Sequence, residues 1–173
     1  MALGLDPPPG VALAEDLARL GSAFSELAVP PPQNLHLTMA FLGEVGADTA
    51  VRVGEVLGAG LGGAFTVRWG AAGAFHSLRR PRVAWLGLAD ETATTRAHGR
   101  LLQLLEPLGL ATEQRAFRPH LTLARVRRAG LGPGRAEVLA AHLAALRPPP
   151  ASNATSMVLY ESTPGAAHPI TGS

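Results

Sequence analysis

His36-Leu37-Thr38-Met39-Ala40 recurs later in the chain as His120-Leu121-Thr122-Leu123-Ala124. Six histidines make 15 pairs. Agreement at the three other shared positions would arise for some pair in about one chain in a hundred of this composition. Such a repeat reads as an internal duplication, with one copy in each of two lobes. Both copies are read as strands, one over Asn34 to Leu42 and the other over Pro119 to Ala124. Side chains two apart on a strand share a face, so His36 goes with Thr38 and His120 with Thr122. Leu37, Met39, Leu121 and Leu123 face the other way and can bury.

Outward from these copies, strands and helices alternate. Met1 to Leu5 reads as a strand. A helix follows over Gly10 to Leu27, where Val11, Leu13, Leu17, Leu20, Phe24 and Leu27 keep helical spacing. Val29-Pro30-Pro31-Pro32 closes it, because proline disfavours helical geometry in the residue before it. Asp48 to Leu61 is a helix weakened by glycines. Ala64 to Trp69 and Val83 to Leu88 are strands joined by a loop carrying Arg79-Arg80-Pro81-Arg82. Asp90 can cap a helix running to about Leu108 by accepting from its first-turn amides. Arg135 to Leu146 is a helix and Thr155 to Glu161 the last clear strand. No glycine-rich phosphate loop follows the first strand, so an α+β domain is expected in place of a doubly wound one.

Composition narrows the chemistry. The chain has 173 residues, 47% hydrophobic and 16% charged, enough for one folded domain. No apolar run approaches the roughly 20 residues of a spanning helix, and the first residues lack a secretory pattern. A soluble, cytoplasmic, monomeric protein is expected. Cysteine is absent, which excludes disulfides, zinc-thiolate sites and a thiol nucleophile. Every one of the 15 basic side chains is arginine. Ten lie between residues 76 and 128 against four acids, a local charge of +6, while the remaining five face nine acids, or −4. A basic segment in a nearly neutral chain suits a phosphate-bearing ligand.

Two histidines and two threonines around one cavity are the equipment for opening a phosphodiester without metal. One imidazole takes a proton from water, the other gives one to the departing oxygen, and polar donors hold the phosphate. Histidine suits both tasks because its pKa of about 6.5 lets it be neutral or charged near pH 7. Two packed strand histidines, or a metal site, are the competing readings. The nearest acid to His36 is Glu44 and none lies within five residues of His120, so no metal and no cofactor are expected.

The blocks Asn34-Leu35-His36-Leu37-Thr38-Met39-Ala40-Phe41-Leu42-Gly43 and Arg118-Pro119-His120-Leu121-Thr122-Leu123-Ala124-Arg125 resemble the two motifs of the 2H phosphoesterases. Within that superfamily they resemble the bacterial and archaeal RNA 2′,3′-cyclic phosphodiesterases, first named 2′-5′ RNA ligases. Arg80 to Gly87 and Leu159 to Ser162 are softer matches. The resemblance implies a bilobal fold with pseudo-two-fold lobes, antiparallel sheets lining a central cleft and helices outside. It also implies hydrolysis of 2′,3′-cyclic phosphates on RNA ends or nucleotides to 2′-phosphomonoesters, without cofactor. By that similarity His36 is the proton donor, His120 the acceptor, and Thr38 and Thr122 hold the phosphate. The motifs alone cannot assign the two roles. Ligation, the reverse reaction, and RNA-end binding without turnover are the alternatives.

Strict alternation turns Arg125 away from the cleft, yet a bend at the strand end would return it, and it is included as a phosphate contact. Phe41 holds the equivalent place in the first copy. Arg118 has the right parity without motif support. Trp69, Trp85 and Tyr160 are expected in the core, and His76, His98 and His142 on the surface. Relatives usually continue the last strand into a second one carrying an aromatic; here Gly165 to Ile170 follows, with His168 in the aromatic's place.

Overall fold

The computed structural model describes residues 1–58, 63–110, 116–128, 130–163 and 166–169, with only the backbone described beyond 161. Its elements run β1 (Ala2–Asp6), α1 (Pro9–Ala23), β2 (Leu27–Ala28), α2 (Ala47–Gly58), β3 (Phe65–Val67), β4 (Trp69–Phe75), β5 (Val83–Leu88), α3 (Thr92–Leu105), β6 (Leu121–Val126), α4 (Arg135–Ala145), β7 (Ser152–Val158), β8 (Tyr160–Thr163) and β9 (Ala166–Pro169). Single 3₁₀ turns cover Pro32–Asn34 and Glu106–Leu108.

Every strand pair is antiparallel. One sheet has the order β1-β7-β3 and a second β2-β6-β5-β4, while β8 and β9 form a hairpin. Helices pack α4 against β4 and α2 against α3, with α3 also against β3. This is the expected α+β arrangement. Leu13, Leu17, Leu20 and Phe24 of the first helical stretch join Leu37, Leu86, Leu101, Leu121 and Leu123 in one buried cluster. Among the described residues no helix is long and apolar enough to cross a membrane.

Several boundaries move, each for a local reason. Helix α1 stops at Ala23 because Phe24 turns extended and buries its ring, which frees Leu27 to pair with Val126. Arg135 locks that corner. Its guanidinium meets both carboxylate oxygens of Glu26 at 2.9 and 3.1 Å, donates to the Ala23 carbonyl, and lies 4.3 Å over the Phe24 ring. Helix α2 ends its described course at Gly58, and Leu61 lies outside the described residues.

The strand expected at Ala64 to Trp69 is two strands, and most of β4 falls in what reads as loop. Its WGAAGAF sequence carries no strand-forming alternation, yet the Trp85 indole on β5 covers it. A Cβ added to Gly73 would lie 2.6 Å from a Trp85 ring carbon, so glycine there makes room for the ring. Asp90 does accept from the first turn, with the Thr92 amide donating to its carboxylate at 2.9 Å, and this holds the Asp90 carboxyl below its usual range. The last strand breaks at Leu159 into β7 and β8, and the chain does continue into a further strand, β9, with His168 opposite Glu161.

Candidate active site

The first motif is not a full strand. Pro30-Pro31-Pro32 leads into a 3₁₀ turn, after which the chain pairs at two isolated bridges, Ala2 with Thr38 and Leu37 with Leu121. Those bridges tie it to β1 on one side and β6 on the other. The second bridge sets the site. In antiparallel register, Leu37 facing Leu121 puts His36 opposite Thr122 and Thr38 opposite His120. Leu37 and Leu121 are both fully buried, so the four polar side chains share the opposite, accessible face.

Each imidazole is held in the same way. His36 Nδ1 lies 2.8 Å from the Asn34 carbonyl, and His120 Nδ1 lies 2.7 Å from the Arg118 carbonyl. A carbonyl only accepts, so each Nδ1 must carry its hydrogen. Each Nε2 is therefore the nitrogen available to take or give a proton.

Arg125 owes its direction to a bulge. Ala84 faces Ala124, but Trp85 faces Thr122, so β6 carries one residue more than β5 at Leu123. Leu123 and Ala124 are accordingly buried in succession, and Arg125 emerges on the Thr122 face. The first copy has the same kink. The amides of Met39 and Ala40 both donate to the Met1 carbonyl, at 2.9 and 3.4 Å. Met39 and Ala40 are both buried, and Phe41 follows with 57% of its surface exposed. Both copies thus show one sequence of burial, half-buried His, buried Leu, half-buried Thr, two buried residues, then an exposed side chain.

Two adjoining recesses open on this face and share Thr38 and Phe41. The smaller, about 310 Å³, is lined by His36, Thr122, Arg125, Tyr160 and Glu161 among others. Tyr160 stacks on His36 with ring centroids 5.2 Å apart and planes 23° from parallel. The larger recess, about 580 Å³, holds His120 with Phe75, His76, Arg82, Phe117 and Arg118 on its walls. There Phe75 meets the His120 ring at right angles, at 4.8 Å. Burial pushes the His120 pKa below its ordinary value, and the Arg125 charge adds to that, against the Arg118 carbonyl, which raises it. Among the described residues, no three His, Asp or Glu side chains gather where they could hold a metal ion.

The family model of the 2′-5′ RNA ligase superfamily matches residues 7–165, nearly the whole chain. The chain belongs to that superfamily. An Archaeoglobus fulgidus protein named RNA 2′,3′-cyclic phosphodiesterase is 36% identical over 107 residues, 62% of this chain and 60% of the relative. An Aeropyrum pernix protein of the same name is 33% identical over 116 residues, 64% of this chain and 66% of the relative. The aligned stretches thus span under two thirds of those relatives' length. Among solved structures, Escherichia coli LigT complexed with 3′-AMP superposes with a TM-score of 0.68 at 24% identity, over 98% of this chain and 92% of that one. The protein TT0787 of Thermus thermophilus superposes with a TM-score of 0.65 at 24% identity, over 98% of this chain and 91% of that one. These two likenesses show a shared fold over nearly the whole chain.

On this superfamily fold, all five residues read from the motifs, His36, Thr38, His120, Thr122 and Arg125, line the paired recesses. Tyr160 corrects its expected place, since it stacks on His36 and does not sit in the core. His76 is exposed as expected, though it also lines the larger recess, and half-buried His98 lines the same recess, stacked on Phe117 at 3.9 Å. His142 does pack away from the site, edge-on to Phe24. Trp69 is buried as expected, and Trp85 lies over Gly73 and against Phe75. The soft match at Leu159 to Ser162 was the signal that could have found Tyr160.

Proposed function

We propose that this protein hydrolyses 2′,3′-cyclic phosphates at RNA ends to 2′-phosphomonoesters, with His36 and His120 moving the two protons. One observation carries the reading. Two imidazoles on bridged segments are each anchored through Nδ1 to the carbonyl two residues back, leaving two Nε2 atoms on one face. Packing alone gives no reason for that device to occur twice.

In the reaction a water oxygen attacks phosphorus while its proton passes to His120 Nε2. The bond from phosphorus to O3′ breaks, and the departing oxygen takes a proton from His36 Nε2. Thr38, Thr122 and Arg125 donate to the non-bridging oxygens as negative charge gathers there. Proton balance closes when His120 returns its proton to solvent and His36 recovers one. The assignment of roles is supported by the unequal surroundings. Burial and the Arg125 charge favour neutral imidazole at His120, which suits an acceptor. His36, with Tyr160 stacked on its ring, takes the complementary donor role that the family resemblance implies. Relatives named RNA 2′,3′-cyclic phosphodiesterase support the substrate.

The test is turnover of a 2′,3′-cyclic nucleotide by wild type, His36→Ala and His120→Ala. General acid–base groups contribute about 10²–10⁴-fold each, and losses of that size with an unchanged circular dichroism spectrum are expected. Wild-type rates in either variant would remove the mechanism.

A further inference from the structure

We propose that the loop joining β4 to β5 docks the phosphodiester backbone of an RNA strand whose end sits in the two recesses, so that the enzyme is built for polynucleotides and not for free cyclic nucleotides. This rests on the hydrolytic reading above and extends it to ground beyond the reacting phosphate.

The loop is a closed hairpin turn. Arg82 donates its amide to the Phe75 carbonyl at 3.1 Å, and the Arg80 amide donates to Ser77 Oγ at 3.1 Å. Its two ends, His76 and Arg82, stand in the wall of the larger recess. Arg79 and Arg80 lie between them and are exposed. Three residues of chain reach at most about 11 Å, so Arg79 lies within roughly one Debye length of that wall at 0.1 M salt.

Among the described residues these arginines keep their charge free of ion pairs, unlike Arg19 and Arg135. Arg19 pairs with Glu15 and Asp16, and Arg135 with Glu26. Among the described residues, Arg79, Arg80, Arg82, Arg118 and Arg125 have no carboxylate partner. Three of these guanidinium groups line the two adjoining recesses and two more stand in the loop beside them, more than a single cyclic phosphate can neutralise. A strand of successive phosphates would meet several at once. The recess behind them also has the other half of a single-strand site. Phe41, Phe75 and the stacked Phe117–His98 pair offer ring faces and edges to bases.

The experiment compares wild type with the double variant Arg79→Ala/Arg80→Ala on two substrates, a hexanucleotide ending in a 2′,3′-cyclic phosphate and a 2′,3′-cyclic mononucleotide, between 50 and 200 mM NaCl. Each phosphate contact on a single strand contributes a slope of about 0.7 to log affinity against log salt. Losing two contacts should flatten the hexanucleotide slope by about 1.4, or about sevenfold across that fourfold salt range. KM for the hexanucleotide should rise at low salt while kcat and both constants for the mononucleotide stay put. Charge reversal, Arg79→Glu/Arg80→Glu, should deepen the hexanucleotide effect alone. An unchanged slope, or equal losses on both substrates, overturns the docking surface. Fluorescence anisotropy with a hexanucleotide ending in a plain 3′-hydroxyl reads the same slope without turnover. A flattened anisotropy slope would therefore support the surface even if wild type opened neither cyclic substrate, an outcome that would remove only the hydrolytic reading.

Discussion

Replacing Arg125 with alanine separates two effects that the site combines in one side chain. The guanidinium lines the recess with His36 and Thr122, and its charge also helps hold the His120 pKa down. As a phosphate contact it makes charge-assisted hydrogen bonds, worth about 1.5–3 kcal/mol each. At 1.36 kcal/mol per decade of rate, loss of one such bond lowers kcat/KM by about 13- to 160-fold. Arg125 is exposed, and exposed charges interact weakly through water, so the lower half of that range is expected. The second effect has a definite sign. Without the Arg125 charge the His120 pKa rises, so His120 stays protonated to higher pH and the acidic limb of the rate profile moves upward. The variant should therefore lose more activity at pH 5.5 than at pH 8. Arg125→Lys keeps the charge and loses the fork, so it should restore the limb's position while recovering only part of the rate. The assay is kcat/KM for a 2′,3′-cyclic nucleotide from pH 5 to 9 in the three proteins. A wild-type rate in Arg125→Ala, or an acidic limb that moves downward, would refute the placement of this side chain.

The wild-type profile of kcat/KM should be bell-shaped, with an acidic limb below pH 6.5 because burial disfavours the charged form of His120. Residual activity in His120→Ala should lack that limb, and residual activity in His36→Ala should lack the alkaline one. Tyr160→Leu should lower kcat/KM by removing the ring that stacks on and orients the His36 imidazole, whereas Tyr160→Phe should match wild type. Gly73→Val should lower the melting temperature measurably, since any Cβ there collides with the Trp85 ring and overpacking costs about 1–3 kcal/mol. Activity should survive dialysis against EDTA, because the two imidazoles supply both proton transfers; loss that zinc or manganese restores would count against the mechanism.

The candidate catalytic face was legible because it rests on parity. His-x-Thr on an extended segment must present both groups to one side, and the repeat implies a partner segment bearing the same pair. Arg125 was half legible. Its direction depends on a bulge in β6, and a bulge is a property of the register against β5, which no stretch of one strand encodes. Strand β4 was hidden for a related reason. Glycine and alanine carry little strand preference of their own, and what makes WGAAGAF extended is the indole across the sheet. Tyr160 was misplaced because an aromatic near the end of a strand reads as core until the position of the facing His36 is known. Likewise His76 and His98 lack any local pattern, and the larger recess gathers them from a loop and a helix distant in sequence.

The bridge between Leu37 and Leu121 has a consequence for the direction of the reaction. A two-fold related pair of segments presents an incoming phosphodiester with two nearly equivalent ways to lie, one the reverse of the other. On the proposed chemistry, water would approach from the His120 side in one and from the His36 side in the other. Features that differ between the copies would tell them apart, among them Arg125 against Phe41, Arg118 against Asn34, and the face of Tyr160 against the right-angled contact of Phe75. On the proposed chemistry, the sense in which a substrate is read would rest on side chains other than the two His-x-Thr pairs. Exchanging Phe41 and Arg125 would ask whether an active site can be turned around while its histidines stay where they are.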